Sequence, residues 1–274
     1  MKNKELFRYI LNTLSKVTGN AISQSVLGTI VLATRYLQGV GSGSDVACSG
    51  ERVVFNVLKK RTGSINPLCV FDVGANRGQY LSLIQPCLAD RPVTVHCFEP
   101  AQETFRQLAK VATGMQNVVL NNCALGKEAG EAKLFYDRGG SGLASMTKRR
   151  LDHFDKKMDF SETINVDTID DYCIRADVHR IDLLKIDVEG HELQVLNGAR
   201  CMLSKSAIGI VTFEFGGCNI DTHTYVQDFY YFFKDHGMSM ARITPSGYLA
   251  RIDSYREVLE QFGTTNFLCI PEDG

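Results

Sequence analysis

One stretch constrains this chain more than any other: Val70-Phe71-Asp72-Val73-Gly74-Ala75-Asn76-Arg77-Gly78-Gln79-Tyr80. Leu68 to Phe71 is a short apolar run behind a proline and reads as a buried parallel strand. Gly74 to Gly78 is a turn that needs small residues or a positive φ. Tyr80 to Ile84 then begins a helix. Strand, glycine turn and helix together make the unit that holds nucleotide-like ligands at the carboxyl edge of an α/β sheet.

The spacing within this unit bears on the ligand. A dinucleotide site uses G-x-G-x-x-G so that backbone can touch a pyrophosphate. Here the pattern is Asp-x-Gly-x-x-x-Gly, with Asp72 at the strand end. A carboxylate there repels a pyrophosphate and suits a cationic, phosphate-free nucleoside such as S-adenosylmethionine. Glu99 ends the next apolar strand, 93–98, and lies 21 residues past Gly78 (99 − 78). An acid at that offset can accept hydrogen bonds from both ribose hydroxyls.

A chain of 274 residues with 44% hydrophobic content supports one large α/β domain with extensions. The formal net charge of −1 leaves no footprint for non-specific nucleic-acid binding. Nine cysteines without a C-x-x-C pair, several inside apolar strands, suit reduced thiols in the cytoplasm and do not suggest a zinc site. No apolar signal core follows the charged start. Residues 21–37 are mildly apolar, but Ser23, Gln24, Ser25, Thr29, Thr34 and Arg35 interrupt them, so a spanning helix is not expected. A peripheral membrane contact through an amphipathic helix is the minor expectation.

Helical spacing of Leu6, Phe7, Ile10, Leu14 and Val17, then of Ile22, Val26, Ile30, Val31 and Leu37, predicts two helices at 3–18 and 21–38. They form an arm, residues 1–50, expected to pack on the main domain or on a second copy in a homo-oligomer. Residues 39–44 are glycine-rich and read as a linker or mobile loop. The domain proper, 51–274, alternates strands and helices. The third strand, 117–121, ends at Asn122 and Cys123, where an adenine would lie. Residues 132–137 and 162–167 read as added extended pieces. The run 138–145 reads as an active-site lid or as a surface excursion, and Lys148-Arg149-Arg150 as a solvated basic turn. Asp167 or Thr168 caps a helix. A helix at 224–236 buries Tyr225, Phe229, Phe232 and Phe233. A strand with a Pro245-Ser246-Gly247 turn spans 238–252, a helix 254–262, and a final strand 264–270.

The second informative stretch is Ile181-Asp182-Leu183-Leu184-Lys185-Ile186-Asp187-Val188-Glu189-Gly190-His191-Glu192. Continued alternation would put Lys185, Asp187 and Glu189 on one face. A lysine in such a strand is costly unless paired and near water. The carboxyl edge supplies both, so Lys185, Asp187, Glu189 and His191 are expected to gather where substrate meets cofactor. Glu214, ending strand 208–213, points to the same edge.

The three motifs Phe-Asp-Val-Gly-Ala-Asn-Arg-Gly, Phe-Glu-Pro and Lys-Ile-Asp-Val-Glu-Gly-His-Glu resemble those of the FkbM family, in order, from about Cys69 to Glu214. The resemblance implies an S-adenosylmethionine-dependent methyltransferase on the class I, Rossmann-like, doubly wound and mostly parallel seven-stranded sheet. It implies O-methylation of a hydroxyl on a sugar, glycan or secondary metabolite. It carries cofactor roles to Asp72, Gly74, Asn76, Gly78 and Glu99. His191, Asp187 or Glu214 would be the base, with Lys185 orienting the carboxylates or the nucleophile. Asp187 and Glu189 holding a divalent cation is a secondary reading, as are an NAD-linked oxidoreductase and a cofactor-binding scaffold without catalysis.

Overall fold

Apolar residues on both faces of each central strand require cover on both sides, and two sets of helices provide it. In chain order the elements are α1 (Lys2–Ser15), α2 (Ala21–Leu37), α3 (Arg52–Thr62), β1 (Leu68–Val73), α4 (Gln79–Cys87), β2 (Val93–Phe98), α5 (Gln102–Val111), β3 (Val118–Asn121), β4 (Ala124–Leu125), β5 (Gly130–Tyr136), β6 (Phe160–Asp167), α6 (Ile169–Arg175), β7 (Ile181–Ile186), α7 (Glu192–Asn197), α8 (Arg200–Ser204), β8 (Ile208–Phe215), α9 (Cys218–Thr222), α10 (Val226–Asp235), β9 (Met238–Ile243), β10 (Leu249–Ile252) and β11 (Thr265–Pro271). The computed structural model describes residues 2–44, 48–63 and 67–272; Met1 and residues 45–47 of the expected arm lie outside them.

The main sheet has the order β3-β2-β1-β7-β8-β11-β9-β10. The first five strands are parallel, and β11 pairs antiparallel with both β8 and β9. The expected doubly wound, mostly parallel sheet forms, with eight strands rather than seven. The eighth is β10, the returning arm of the hairpin made by the turn around residues 245–247. One face carries Leu68, Val70, Val95, Leu183 and Ile210 against α3, α4 and α5. The other carries Phe71, Val73, Leu184, Val211 and Phe213 against α6, α7, α8 and α10. A three-stranded sheet, β4-β6-β5, stands apart from the main one and holds the extended pieces expected at 132–137 and 162–167.

Thr168 caps α6 by accepting from the Asp171 amide at 3.0 Å, as its position predicts. Four other expectations change. No helix spans 254–262; a single 3₁₀ turn, Glu257–Leu259, replaces it. Glu260 is used instead to cap α10, accepting from the Val226 and Gln227 amides at 2.9 Å each. Tyr225 precedes α10 and is exposed rather than buried. Arg149 is buried, not solvated, because two carboxylates hold it.

The fourth change is the glycine-rich stretch 39–44. The Gly41 and Gly43 amides both donate to the Thr264 carbonyl, at 2.9 and 3.0 Å, and Asn266 donates to the Gly43 carbonyl at 3.3 Å. Gly50, at φ +80°, lies so close to the Thr244 carbonyl that a Cβ would overlap it. The glycines let a strap press against the β9–β10 turn and β11. α1 and α2 form near their expected places, but no side chain of α2 is buried. Among the described residues no helix is long and apolar enough to cross a membrane.

Gly50→Ala should therefore cost about 1–3 kcal/mol, since both its φ and its space exclude a side chain. Denaturant unfolding measures this, and a wild-type midpoint would show that the strap is not pinned there.

Candidate functional site

The carboxyl tips of β1, β2, β7 and β8 open into a cavity of about 780 Å³, within the range of small-molecule sites. Two further segments wall it. The insert after β5 contributes Ser141 through Met146, and the strap contributes Gly43, Ser44, Glu51 and Arg52. The insert is fixed rather than a surface excursion. Ser145 is buried and donates to the Glu189 carbonyl at 2.8 Å, Arg77 donates to the Gly140 carbonyl, and Phe135 and Ser145 exchange both backbone hydrogen bonds.

At the tip of β1, Gly74 adopts φ +77°, and a Cβ there would overlap the Asp187 carbonyl. Only glycine lets the ends of β1 and β7 meet this closely. Asn76 follows at φ +47° and lines the cavity, its Oδ1 buried with no hydrogen bond among the described residues. Gly78, at φ +86°, opens α4 but does not line the cavity; its role is to let α4 approach Leu108 and Val111.

Glu99 lines the cavity at the tip of β2. Its Oε2 accepts from the Asn76 amide at 3.0 Å and its Oε1 from the Ala101 amide at 2.9 Å. Burial pushes its carboxyl up to about 7, against the opposing pull of those amides. Cys123 lines the cavity with a thiol raised to about 11 by burial. Asn122 does not line it. Its side chain donates to the Glu99 and Pro100 carbonyls at 2.9 and 3.1 Å, shaping the turn that carries Glu99.

Asp72 is fully buried and lies beneath the cavity rather than in its lining. It pairs in the sheet with Lys185, whose Nζ stands 3.3 Å from Asp72 Oδ1 and 3.4 Å from Asp187 Oδ2 and donates to the Gly74 carbonyl at 3.3 Å. Burial alone would depress the Lys185 ammonium; Asp72, Asp187 and Glu51 outweigh it and hold the ammonium above its ordinary value. Burial raises Asp72, and Lys185 opposes that rise. The carboxylate expected to face a cofactor is thus spent on a lysine, because β1 and β7 are neighbours in register.

Lys185, Asp187, Glu189 and Glu214 do line one cavity. The alternation expected beyond β7 does not persist: β7 ends at Ile186, and Glu189 and Gly190 turn through φ +53° and +101°. Glu189 is held by Arg149, which also donates to Asp221 at 3.2 Å, and burial raises its carboxyl to about 8. Glu214 lies within β8, and its side chain accepts no hydrogen bond among the described residues. Burial, then Asp187, Glu189 and Glu192, lift its carboxyl well above the usual range.

His191 does not join this group. Its Nε2 sits 3.0 Å from Thr147 Oγ1, outside the cavity lining, and burial lowers its pKa. Because the chain has already turned at Glu189 and Gly190, continued strand spacing misplaces it.

Two acids escape sequence reasoning. Glu51 reaches the cavity from the strap, accepts from Ser49 Oγ at 2.7 Å, and is raised to about 7 by burial. No sequence signal connects it to a site that begins over twenty residues later. Glu192 is buried and accepts from the Val188 and Gly190 amides at 3.2 and 3.0 Å, fixing the turn after β7. An acid two residues after a glycine at a strand end is a legible signal for such a lock. Among the described residues, no group of three or more His, Cys, Asp or Glu side chains could hold a metal ion.

The FkbM methyltransferase domain matches residues 72–240. No curated protein matches the chain. Among solved structures, a methyltransferase FkbM from Methylobacillus flagellatus KT is similar at 16% identity and TM-score 0.47, over 90% of this chain and 59% of that one. The CurJ carbon methyltransferase is similar at 11% identity and TM-score 0.46, over 90% and 59%. An rRNA methylase from Streptococcus thermophilus is similar at 8% identity and TM-score 0.42, over 80% and 95%. The chain thus spans about three fifths of the first two of these structures.

Lys185→Met should destabilise the protein by about 3–5 kcal/mol, since it leaves Asp72 buried without a counter-charge. Asp72→Asn in the same background should recover much of that loss. A Lys185→Met cost no larger than that of an exposed lysine would show that Asp72 does not depend on the pair.

Proposed function

We propose, for a chain that belongs to the FkbM methyltransferase family, that it moves a methyl group from S-adenosylmethionine to a hydroxyl of a sugar, glycan or secondary metabolite. The observation that carries the choice of cofactor is the charge of the cavity. Glu51, Glu99, Asp187, Glu189 and Glu214 line it, against Lys185 and Arg52. As its carboxyls ionise, such a wall repels the diphosphate of a dinucleotide and attracts a cationic nucleoside, whose charge in turn favours the ionised form.

The residues present fit that cofactor. Each Glu99 oxygen accepts one backbone amide and keeps lone-pair capacity for a ribose hydroxyl. The unpartnered Asn76 Oδ1 would accept an N–H from the cofactor. When bound, S-adenosylmethionine supplies a methyl group already activated by its sulfonium.

The work left to the protein is to align the acceptor oxygen and take its proton. Glu214 is the base this reading favours. It faces the cavity without a hydrogen bond, whereas Asp187 is drawn to Lys185 and His191 to Thr147. A carboxyl raised by burial is a strong proton acceptor once ionised, and a neighbouring cation favours its ionised form. Lys185 holds Asp187 in place beside it. Once ionised, carboxylates only accept hydrogen bonds, so the ionised wall suits an acceptor that presents hydroxyl donors.

S-adenosylhomocysteine should raise the melting temperature and NAD should not, because a ligand that binds only the native state stabilises it. The reverse result would overturn the cofactor assignment.

Glu214→Gln should lower kcat by about 10²–10⁴-fold while leaving S-adenosylhomocysteine affinity unchanged. In the parent enzyme kcat should climb with pH as Glu214 ionises, and in the variant that rise should vanish. Full turnover by the variant would remove Glu214 as the base.

A further inference from the structure

Helices α1 and α2 carry a large apolar surface that none of the described residues covers. Leu6 and Phe7 are 60% and 62% exposed, and Ile22 and Leu37 are 79% and 72% exposed. On α1, Leu6, Ile10 and Leu14 repeat every fourth residue, so their apolar groups share one side of the helix. Arg8 on the polar side of α1 and Lys16, just past its end, are exposed cations.

Charge says what covers this surface. Residues 2–37 contain Lys2, Lys4, Arg8, Lys16 and Arg35 against Glu5 alone, a formal +4. The whole chain carries −1, so everything outside this segment carries −5. Pairing this segment with the same segment of a second copy would bring two +4 charges together, which like charge opposes. An anionic lipid surface satisfies both properties: acyl chains take the apolar side and headgroups the cations. At 14 and 17 residues, the two helices suit lying in an interface rather than crossing it.

We propose that helices α1 and α2 dock this protein on an anionic phospholipid bilayer. The attachment to the catalytic domain is short and stiff. α2 ends at Leu37, and the strap is seated by Gly39 against the Ile243 carbonyl before reaching the cavity wall at Gly43. Six residues span at most about 20 Å, so docking of α2 keeps the cavity close to the bilayer.

The test is co-sedimentation of the full chain with phosphatidylcholine vesicles, with and without phosphatidylglycerol. Wild type should pellet with the anionic vesicles and stay in solution with the neutral ones. The triple variant Lys4→Glu, Arg8→Glu, Lys16→Glu should bind at least about a hundredfold more weakly, at about fivefold per basic side chain near the surface. The double variant Phe7→Ser, Ile30→Ser should also lose binding. All five side chains are exposed, so melting temperatures should match wild type and confirm that the variants fold. Three outcomes overturn the proposal: wild type ignoring anionic vesicles, charge reversal leaving binding intact, or equal binding to neutral vesicles. A wild-type dimer in sedimentation velocity that the double variant dissolves would also overturn it, by assigning the surface to a second copy.

Discussion

The site rests on one buried ammonium. Lys185 lies between Asp72, in the core, and Asp187, at the cavity. Removing a charge from water is expensive, and a lone buried carboxylate is worse than a matched pair. Asp72 and Lys185 are direct partners in the β1–β7 register, so the pair links strands distant in sequence. A one-residue slip of one strand against the other would put these two side chains on opposite faces of the sheet. The ion pair therefore specifies the register that brings the Gly74 turn against Asp187.

Around that cation the protein concentrates acids and then buries them. Glu51, Glu99, Glu189 and Glu214 line the cavity, and Glu192 braces the turn beneath it, all with carboxyls raised by burial. Such a cluster holds protons that a cationic ligand would displace, so ligand binding and ionisation are linked. Arg149 offsets part of the charge by joining Glu189 to Asp221, which ties the insert to α9. The insert and the strap both come from outside the central strands, yet both become walls. The sheet supplies the floor, and its additions close the space above it.

How much was legible in the sequence follows from the range of each interaction. The β1 turn, Glu99, the alternation of strands with helices and the Thr168 cap depend on neighbours or on periodicity, and their residues state them directly. The motif order was enough to place the chain in its family, and the domain match over residues 72–240 agrees. Sequence reading also gathered Lys185, Asp187, Glu189 and Glu214, because strand ends in a parallel sheet share one edge. It misplaced His191, because Glu189 and Gly190 leave the strand. It exposed Asp72 to the ligand, because only the register shows that Lys185 reaches it first.

What the sequence determined by itself was therefore the alternation of strands and helices, the glycine turn and the acid at each strand tip. Those features are encoded within about one turn or one strand of chain. Tertiary structure alone decided which acids face the cavity and which are spent on a lysine, an arginine or a backbone amide. It alone turned the glycine strap into a wall and brought Glu51 to the site. Those outcomes depend on contacts between segments far apart in the chain, and burial and charge pairing take effect only once the fold has brought them together.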